Sequence, residues 1–306
     1  MPRIELNYSV EAHNAELYPK KAERIETGWL VYDRYQEQLV QVDDQLNEVR
    51  RLGRSADGPL EYRDPVAFFS MAPDDRRIGV FDSRPPSFMW MDADGTGNER
   101  RVDMRFPEHA VFDGERLTVT GGTPEGGIFE VLPQLDSVRA LATWDDLGLS
   151  VSPDMRGQPP MGILRIGPRG RVHLGIVSQS SVWAPGVAGY RKTVQRCVPP
   201  VLTQLHVEAF KITDGLPRVN IVSMHDFLVL PDSRILTLGA LALTADREVS
   251  GRSIEVYGRD GERLGAWSLP VYSYGRFDPS NPYQLLVWGG EIEGVQVVEV
   301  SSDVIW

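Results

Sequence analysis

The sequence predicts an all-β chain folded as a six-bladed β-propeller with four-stranded antiparallel blades. Three observations carry this. A short apolar hexamer recurs six times: GWLVYD from Gly28, RIGVFD from Arg77, RLTVTG from Arg116, RVHLGI from Arg171, RILTLG from Arg234 and QLLVWG from Gln284, with starts 39 to 63 residues apart. Each hexamer is apolar at almost every position instead of alternating, as a strand buried on both faces between neighbouring sheets must be. Four of the six begin with arginine directly after a turn signal: Pro73-Asp74-Asp75, Asp113-Gly114, Pro168-Arg169-Gly170 and Pro231-Asp232-Ser233. Such recurrence marks one supersecondary unit repeated around a ring.

The most complete unit spans Leu52 to Asp92. A Gly/Pro-rich loop leads into the strand Val66 to Met71. The turn at Pro73 leads to the hexamer at Arg77, and Ser83-Arg84-Pro85-Pro86 leads to a third strand, Phe88 to Met91. Short β-rich runs parted by Pro, Asp and Gly clusters are the hairpin signal. Third strands recur at Leu39 to Val42, Ile128 to Leu132, Ser253 to Tyr257 and Val295 to Val300. Tight turns such as Asp92-Ala93-Asp94-Gly95 and Arg259-Asp260-Gly261 then precede a more polar fourth strand. Asn14 to Glu26 carries Pro19 in its middle and reads as loop plus strand, because proline breaks a helix interior. The last hexamer has one clear strand after it, so the alternating segment Ile4 to Val10 is expected to close the final blade and remove its free edge. Residues 1–306 thus form one domain. The segment Ser178 to Pro200 is expected to be an insertion between the second and third strands of the fourth repeat, with a second long linker, Asp145 to Pro160, before that repeat.

The 306 residues are 42% hydrophobic, enough for a large core. A net charge of −11 without a basic block argues against nucleic acid and anionic membrane surfaces as partners. One cysteine, Cys197, excludes an internal disulfide and a cysteine-rich metal site. No apolar run approaches the ~20 residues that span a bilayer. The opening MPRIELNYSV has neither the basic nor the apolar region of a signal peptide. There is no G-x-S-x-G elbow, H-E-x-x-H, Walker loop or Rossmann fingerprint.

The stretch Gly53-Arg54…Gly58-Pro59-Leu60-Glu61-Tyr62…Pro65 resembles the G-x-G-P-G-E-F-x-x-P linker of bacterial NHL-like six-bladed propellers, with Leu60 where that family has glycine. Asp82, the turn Asp92 to Gly95 and the hairpin Phe227 to Gly239 fit the same pattern. The resemblance implies the fold more than an activity, since propellers host binding proteins, receptors and several enzyme classes. Because many such relatives are exported or lipid-anchored, it also implies a periplasmic or cell-surface location.

In a propeller, the loops from second to third strands and those joining blades share one face. Arg34, Asp64, Arg84, His109, Trp183, Tyr190, His225, Asp226, Trp288 and Glu291 are expected there. Asp64, His109, His225 and Asp226 precede innermost strands and would ring the channel mouth. They could hold a divalent metal such as Ca²⁺ or do acid–base chemistry; they could also cap turns, as Asp and His often do. Trp183 and Tyr190, with Arg191, Lys192 and Arg196 beside them, would form a lid that stacks on a ligand and orients an anion, or would pin the segment to the blade below. His173, mid-strand between Val172 and Leu174, reads as a core histidine. The chain is therefore expected to be a monomeric binding protein for a small molecule, glycan or protein. The alternative is a channel-mouth enzyme similar to calcium-dependent lactonases or strictosidine-synthase-like propellers.

Overall fold

The computed structural model describes residues 8–53, 61–63, 65–72, 75–83, 86–92, 96–102, 104, 107–121, 126–131, 138–149, 162–177, 180–187, 189–196, 224–240, 252–269, 274–289 and 292–301. Strand β1 (Tyr8–Asn14) comes first. Blade one is β2 (Pro19–Ile25), β3 (Gly28–Asp33), β4 (Gln38–Val42) and β5 (Glu48–Leu52). Blade two is β6 (Pro65–Ser70), β7 (Arg77–Ser83), β8 (Pro86–Asp92) and β9 (Gly97–Arg101). Blade three is β10 (Pro107–Phe112), β11 (Leu117–Gly121), β12 (Gly127–Val131) and β13 (Val138–Thr143). Blade four is β14 (Gly162–Ile166), β15 (Val172–Ile176), β16 (Ser181–Gly186) and β17 (Gly189–Gln195). Blade five is β18 (Met224–Val229), β19 (Ile235–Ala240), β20 (Arg252–Tyr257) and β21 (Arg263–Leu269). Blade six is β22 (Tyr274–Phe277), β23 (Gln284–Trp288), β24 (Val295–Val300) and, as its outer strand, β1. The fold is a six-bladed β-propeller, and each second strand starts within one residue of its predicted hexamer.

The burial of whole hexamers has a direct cause. Along β3, Trp29 and Val31 pack with Leu286, Trp288 and Val297 of blade six, while Leu30 and Tyr32 pack with Phe68, Val80 and Met89 of blade two. Alternate side chains feed opposite interfaces, so neither parity can be polar. Corresponding apolar clusters join blades two to three, three to four, four to five and five to six.

Ring closure is as expected. Residues 8–10 of the predicted segment pair with Val298 to Val300 of β24, the strand continues to Asn14 past a bulge between Val10 and Ala12, and residues 4–7 lie outside the described residues. Local anchors hold the continuation: Ala12 and Leu17 enter the cluster between blades six and one, and Asn14 donates from Nδ2 to the Leu46 carbonyl at 2.9 Å.

The expected insertion is ordinary blade. Residues 181–195 supply β16 and β17, the third and fourth strands of blade four. Val182 and Val194 point into the core with Phe227 of blade five. Arg196, read as a ligand-orienting cation, is buried; its Nε donates to Glu255 at 3.1 Å and its Nη2 to Ser253 at 2.8 Å. Of the expected linker, 145–149 follow β13 as a turn that buries Leu147 and Leu149 against Trp144, and the remainder lies outside the described residues.

Strand register defines two ends of the ring. At the mouth end, each innermost strand begins opposite the end of its second strand: Pro19 with Asp33, Pro65 with Asp82, Pro107 with Gly121, Gly162 with Ile176, Met224 with Gly239 and Tyr274 with Trp288. The turns from innermost to second strands and the outer hairpin tips lie at the other end.

Candidate functional site

The innermost strands carry polar and charged residues beside the apolar second strands, and these meet on the axis. Glu23 (β2), His109 (β10), Arg165 (β14), Asp226 (β18) and Arg276 (β22) come from five blades. Arg165 donates from Nε to Asp226 at 2.8 Å, and Arg276 Nη1 stands 3.3 Å from the same carboxylate. Arg276 also pairs with Glu23. The His109 ring lies between both guanidiniums at 3.3 Å from Nε2, with Glu23 Oε1 at 3.5 Å. Backbone N–H groups of Phe227 and Phe277 donate to Asp226 at 2.8 and 2.9 Å. Two guanidiniums thus balance two carboxylates in a buried network that plugs the channel, as buried charge requires.

Above the plug is a cup of about 270 Å³ at the mouth end. Four β-bulges build it. In β2, β6, β10 and β18 the register skips one residue just inside the mouth, at Lys20, Val66, Glu108 and His225. All four line the cup. A bulge frees one residue from the ladder and re-aims its side chain, which is how an otherwise inter-blade position reaches the axis. On the blade-six side Tyr274 stacks on Trp288 with ring centroids 6.0 Å apart, and His225 sits edge-on to Tyr274 at 5.7 Å. Trp288 is buried, while half of Tyr274 remains exposed.

The acids and imidazole of this region are displaced from their ordinary protonation behaviour. Burial pushes the Glu108 carboxyl up to about 7, although the Gly162 N–H that donates to it at 3.1 Å and the nearby Lys21 charge pull the other way. Burial and the Arg165 charge hold His109 below its usual range, opposed by Glu23. The Leu164 N–H faces Nδ1 at 3.4 Å, while Nε2 faces both guanidiniums and the Glu23 carboxylate. Burial also raises Asp226, to about 6, in spite of Arg165.

The predicted residues therefore separate into groups. His109, His225 and Trp288 line the cup. Asp226 lies a layer below the mouth, wholly buried in the plug. Arg34 is exposed in the β3–β4 loop at the mouth end, its N–H bonded to the Tyr18 carbonyl at 2.8 Å, away from the cup. Asp64, Arg84 and Glu291 lie outside the described residues. Trp183 is buried between blades three and four with its indole N–H on Ser181 Oγ at 3.0 Å, and Tyr190 and Arg191 sit at the end opposite the mouth. They form no lid. Glu108, Lys20 and Tyr274 were not anticipated, yet three of the four bulged residues follow a proline that opens the innermost strand: Pro19-Lys20, Pro65-Val66 and Pro107-Glu108. Among the described residues, no three histidine, cysteine or acidic side chains gather where they could hold a metal ion.

The chain is similar to several solved structures. A presumed exported protein of Bacteroides fragilis superposes with a TM-score of 0.62 at 9% identity, covering 97% of this chain and 94% of that one. A Bacteroides thetaiotaomicron protein of unknown function gives 0.53 at 11% identity, over 97% and 76%. A gluconolactonase of Xanthomonas campestris gives 0.52 at 13% identity, over 89% and 82%. The likeness is one of fold alone. No family model matches the chain, and no curated relative matches it. Among the described residues no helix is long and apolar enough to cross a membrane.

Proposed function

We propose that this propeller is a binding protein whose channel-mouth cup takes a small sugar-like molecule. The observation that carries this is the set of four bulges that turn Lys20, Val66, Glu108 and His225 into one cup above a closed channel. Sugars offer an apolar C–H face and a rim of hydroxyls. The exposed part of the Tyr274 ring suits the first, and Glu108, His109 and His225 suit the second, the usual balance of apolar wall and convergent polar groups in a ligand site. Likeness in fold to a presumed exported protein supports a reading in which such ligands are met outside the cytoplasm. The described donors favour a neutral or anionic ligand over Ca²⁺, because two guanidiniums flank His109 and Asp226 is already bonded by both. The test is a tryptophan-fluorescence titration with glucose, gluconate and cellobiose. At least one should bind saturably, and Tyr274→Ala should weaken it tenfold or more with the circular dichroism unchanged. If none of the three binds, or Tyr274→Ala binds like the wild type, the reading is wrong.

One observation favours a hydrolytic second reading. A carboxyl that titrates near 7 beside an open cup is suited to general-base catalysis at neutral pH. One solved propeller of similar fold is a gluconolactonase. In this reading Glu108 would draw a proton from water attacking the carbonyl of a sugar lactone, and loss of lactone hydrolysis in Glu108→Gln, followed by pH-stat, would distinguish it from binding alone.

A further inference from the structure

A second cavity, of about 260 Å³, lies at the end opposite the mouth, between blades four and five. Its charged lining is arginine throughout: Arg169 and Arg171 from the β14–β15 turn, Arg191 from β17 and Arg259 from the β20–β21 turn. No carboxylate lines it, although the chain carries a net charge of −11. Among the described residues, none of these four arginines has an acidic ion-pair partner.

The repeats show how the imbalance arises. In three other blades the arginine at the start of the second strand is neutralised locally: Arg77 by Asp92 at 2.6 Å, Arg116 by Asp113 at 2.9 Å and Arg234 by Asp232 at 2.7 Å. The blade-four turn reads Pro168-Arg169-Gly170, so Arg171 loses the acid and gains a second cation. The neighbouring groove between blades three and four shares Arg169 and Arg171 with this cleft, but its own cations, Arg116 and Arg139, both reach Glu130, at 3.8 and 2.5 Å. Arg169 also holds a left-handed backbone, φ +64°, a conformation that disfavours any residue with a Cβ. Like charges gathered at a strained turn are unfavourable in the empty cleft and become favourable when an anion joins them.

We propose that this cleft is an anion site for small phosphate-bearing molecules, separate from the cup. Guanidinium groups match tetrahedral oxyanions with paired N–H donors, and the excess of positive charge calls for a multiply charged group rather than one carboxylate. The floor of His173, Val229 and Ile235 and the prolines Pro168 and Pro185 leave room beside the phosphate for a group about the size of one sugar. His173 contributes no charge there: it is buried, burial lowers its pKa, and its Nδ1 faces the Arg171 carbonyl at 3.0 Å.

Calorimetric titration in about 150 mM salt, where the Debye length is about 8 Å, suppresses diffuse attraction and keeps close contacts. Pyrophosphate and glucose 6-phosphate should bind saturably, and any heat from glucose should be the same in the wild type and in the cleft variants. The double variant R171Q/R259Q should bind both probes at least tenfold more weakly, while R116Q in the neighbouring groove should match the wild type. Arg191→Gln alone, on an exposed edge of the cleft, should give a smaller loss and serves if the double variant fails to fold. Absence of saturable binding by either probe, or equal binding by wild type and cleft variants, overturns the proposal. Neither outcome bears on the cup, because Tyr274→Ala should leave pyrophosphate binding intact.

Discussion

Replacing Glu108 by glutamine should change how the stability of this propeller depends on pH. Glutamine keeps the carbonyl oxygen that accepts from the Gly162 N–H and removes only the titration. In the folded chain burial raises the carboxyl from 4.5 to about 7, so the folded state holds its proton more tightly than the unfolded one. The stabilisation is complete below pH ~4.5 and is lost as pH rises through about 7. At about 1.4 kcal/mol per pKa unit, and allowing for the partial exposure of the side chain, the loss is about 2–3 kcal/mol. His109 and Asp226 also titrate in this region, His109 with the opposite sign because its pKa is lowered. Both remain in the variant, and the difference between the two proteins cancels them to first order. Urea unfolding at pH 5 and pH 8 is the assay. The wild type should lose about 2–3 kcal/mol more than Glu108→Gln across that interval. Parallel pH profiles would show that Glu108 is solvated and ionised like a surface acid, and the hydrolytic reading would fall with it.

Two further outcomes concern the frame. Trp183→Ala should cost about 3–5 kcal/mol in unfolding experiments through the cavity left between blades three and four, while ligand affinity at the cup stays unchanged. Removal of residues 1–14 should leave β24 as an open edge and produce concentration-dependent association on size-exclusion chromatography with light scattering; a monomer as stable as the intact chain would refute the closure.

The fold was legible because each second strand must satisfy two apolar interfaces at once, which writes burial into consecutive residues such as Trp29 to Tyr32. The site was legible in part. His109 and His225 could be placed at the mouth because they stand at the start of the apolar runs that become innermost strands. Glu108 and Lys20 could not be placed by strand periodicity, since a bulge breaks the alternation that the periodicity assumes. The plug was hidden for another reason: Arg276 and Glu23 are 253 residues apart, and a lone charge in a short strand looks like a solvent-facing residue until its partner is in view. Pro185 and the glycines of the β16–β17 tip concealed a regular hairpin, so that two strands looked like a loop.

The pairing of β1 with β24 also orders events in time. Roughly 280 residues separate Asn14 from Val295, and at ~5–20 residues per second a ribosome needs about 15–60 seconds to make them. Throughout that interval β1 has no partner and blade one lacks its neighbour on one side, with the apolar faces of Trp29 and Val31 uncovered. Blades two to five can form as each hairpin pair emerges, but the ring locks only at the final strand. A chain interrupted before β24 therefore leaves β1 unpaired and the cluster between blades six and one incomplete, two surfaces open to chaperones and proteases.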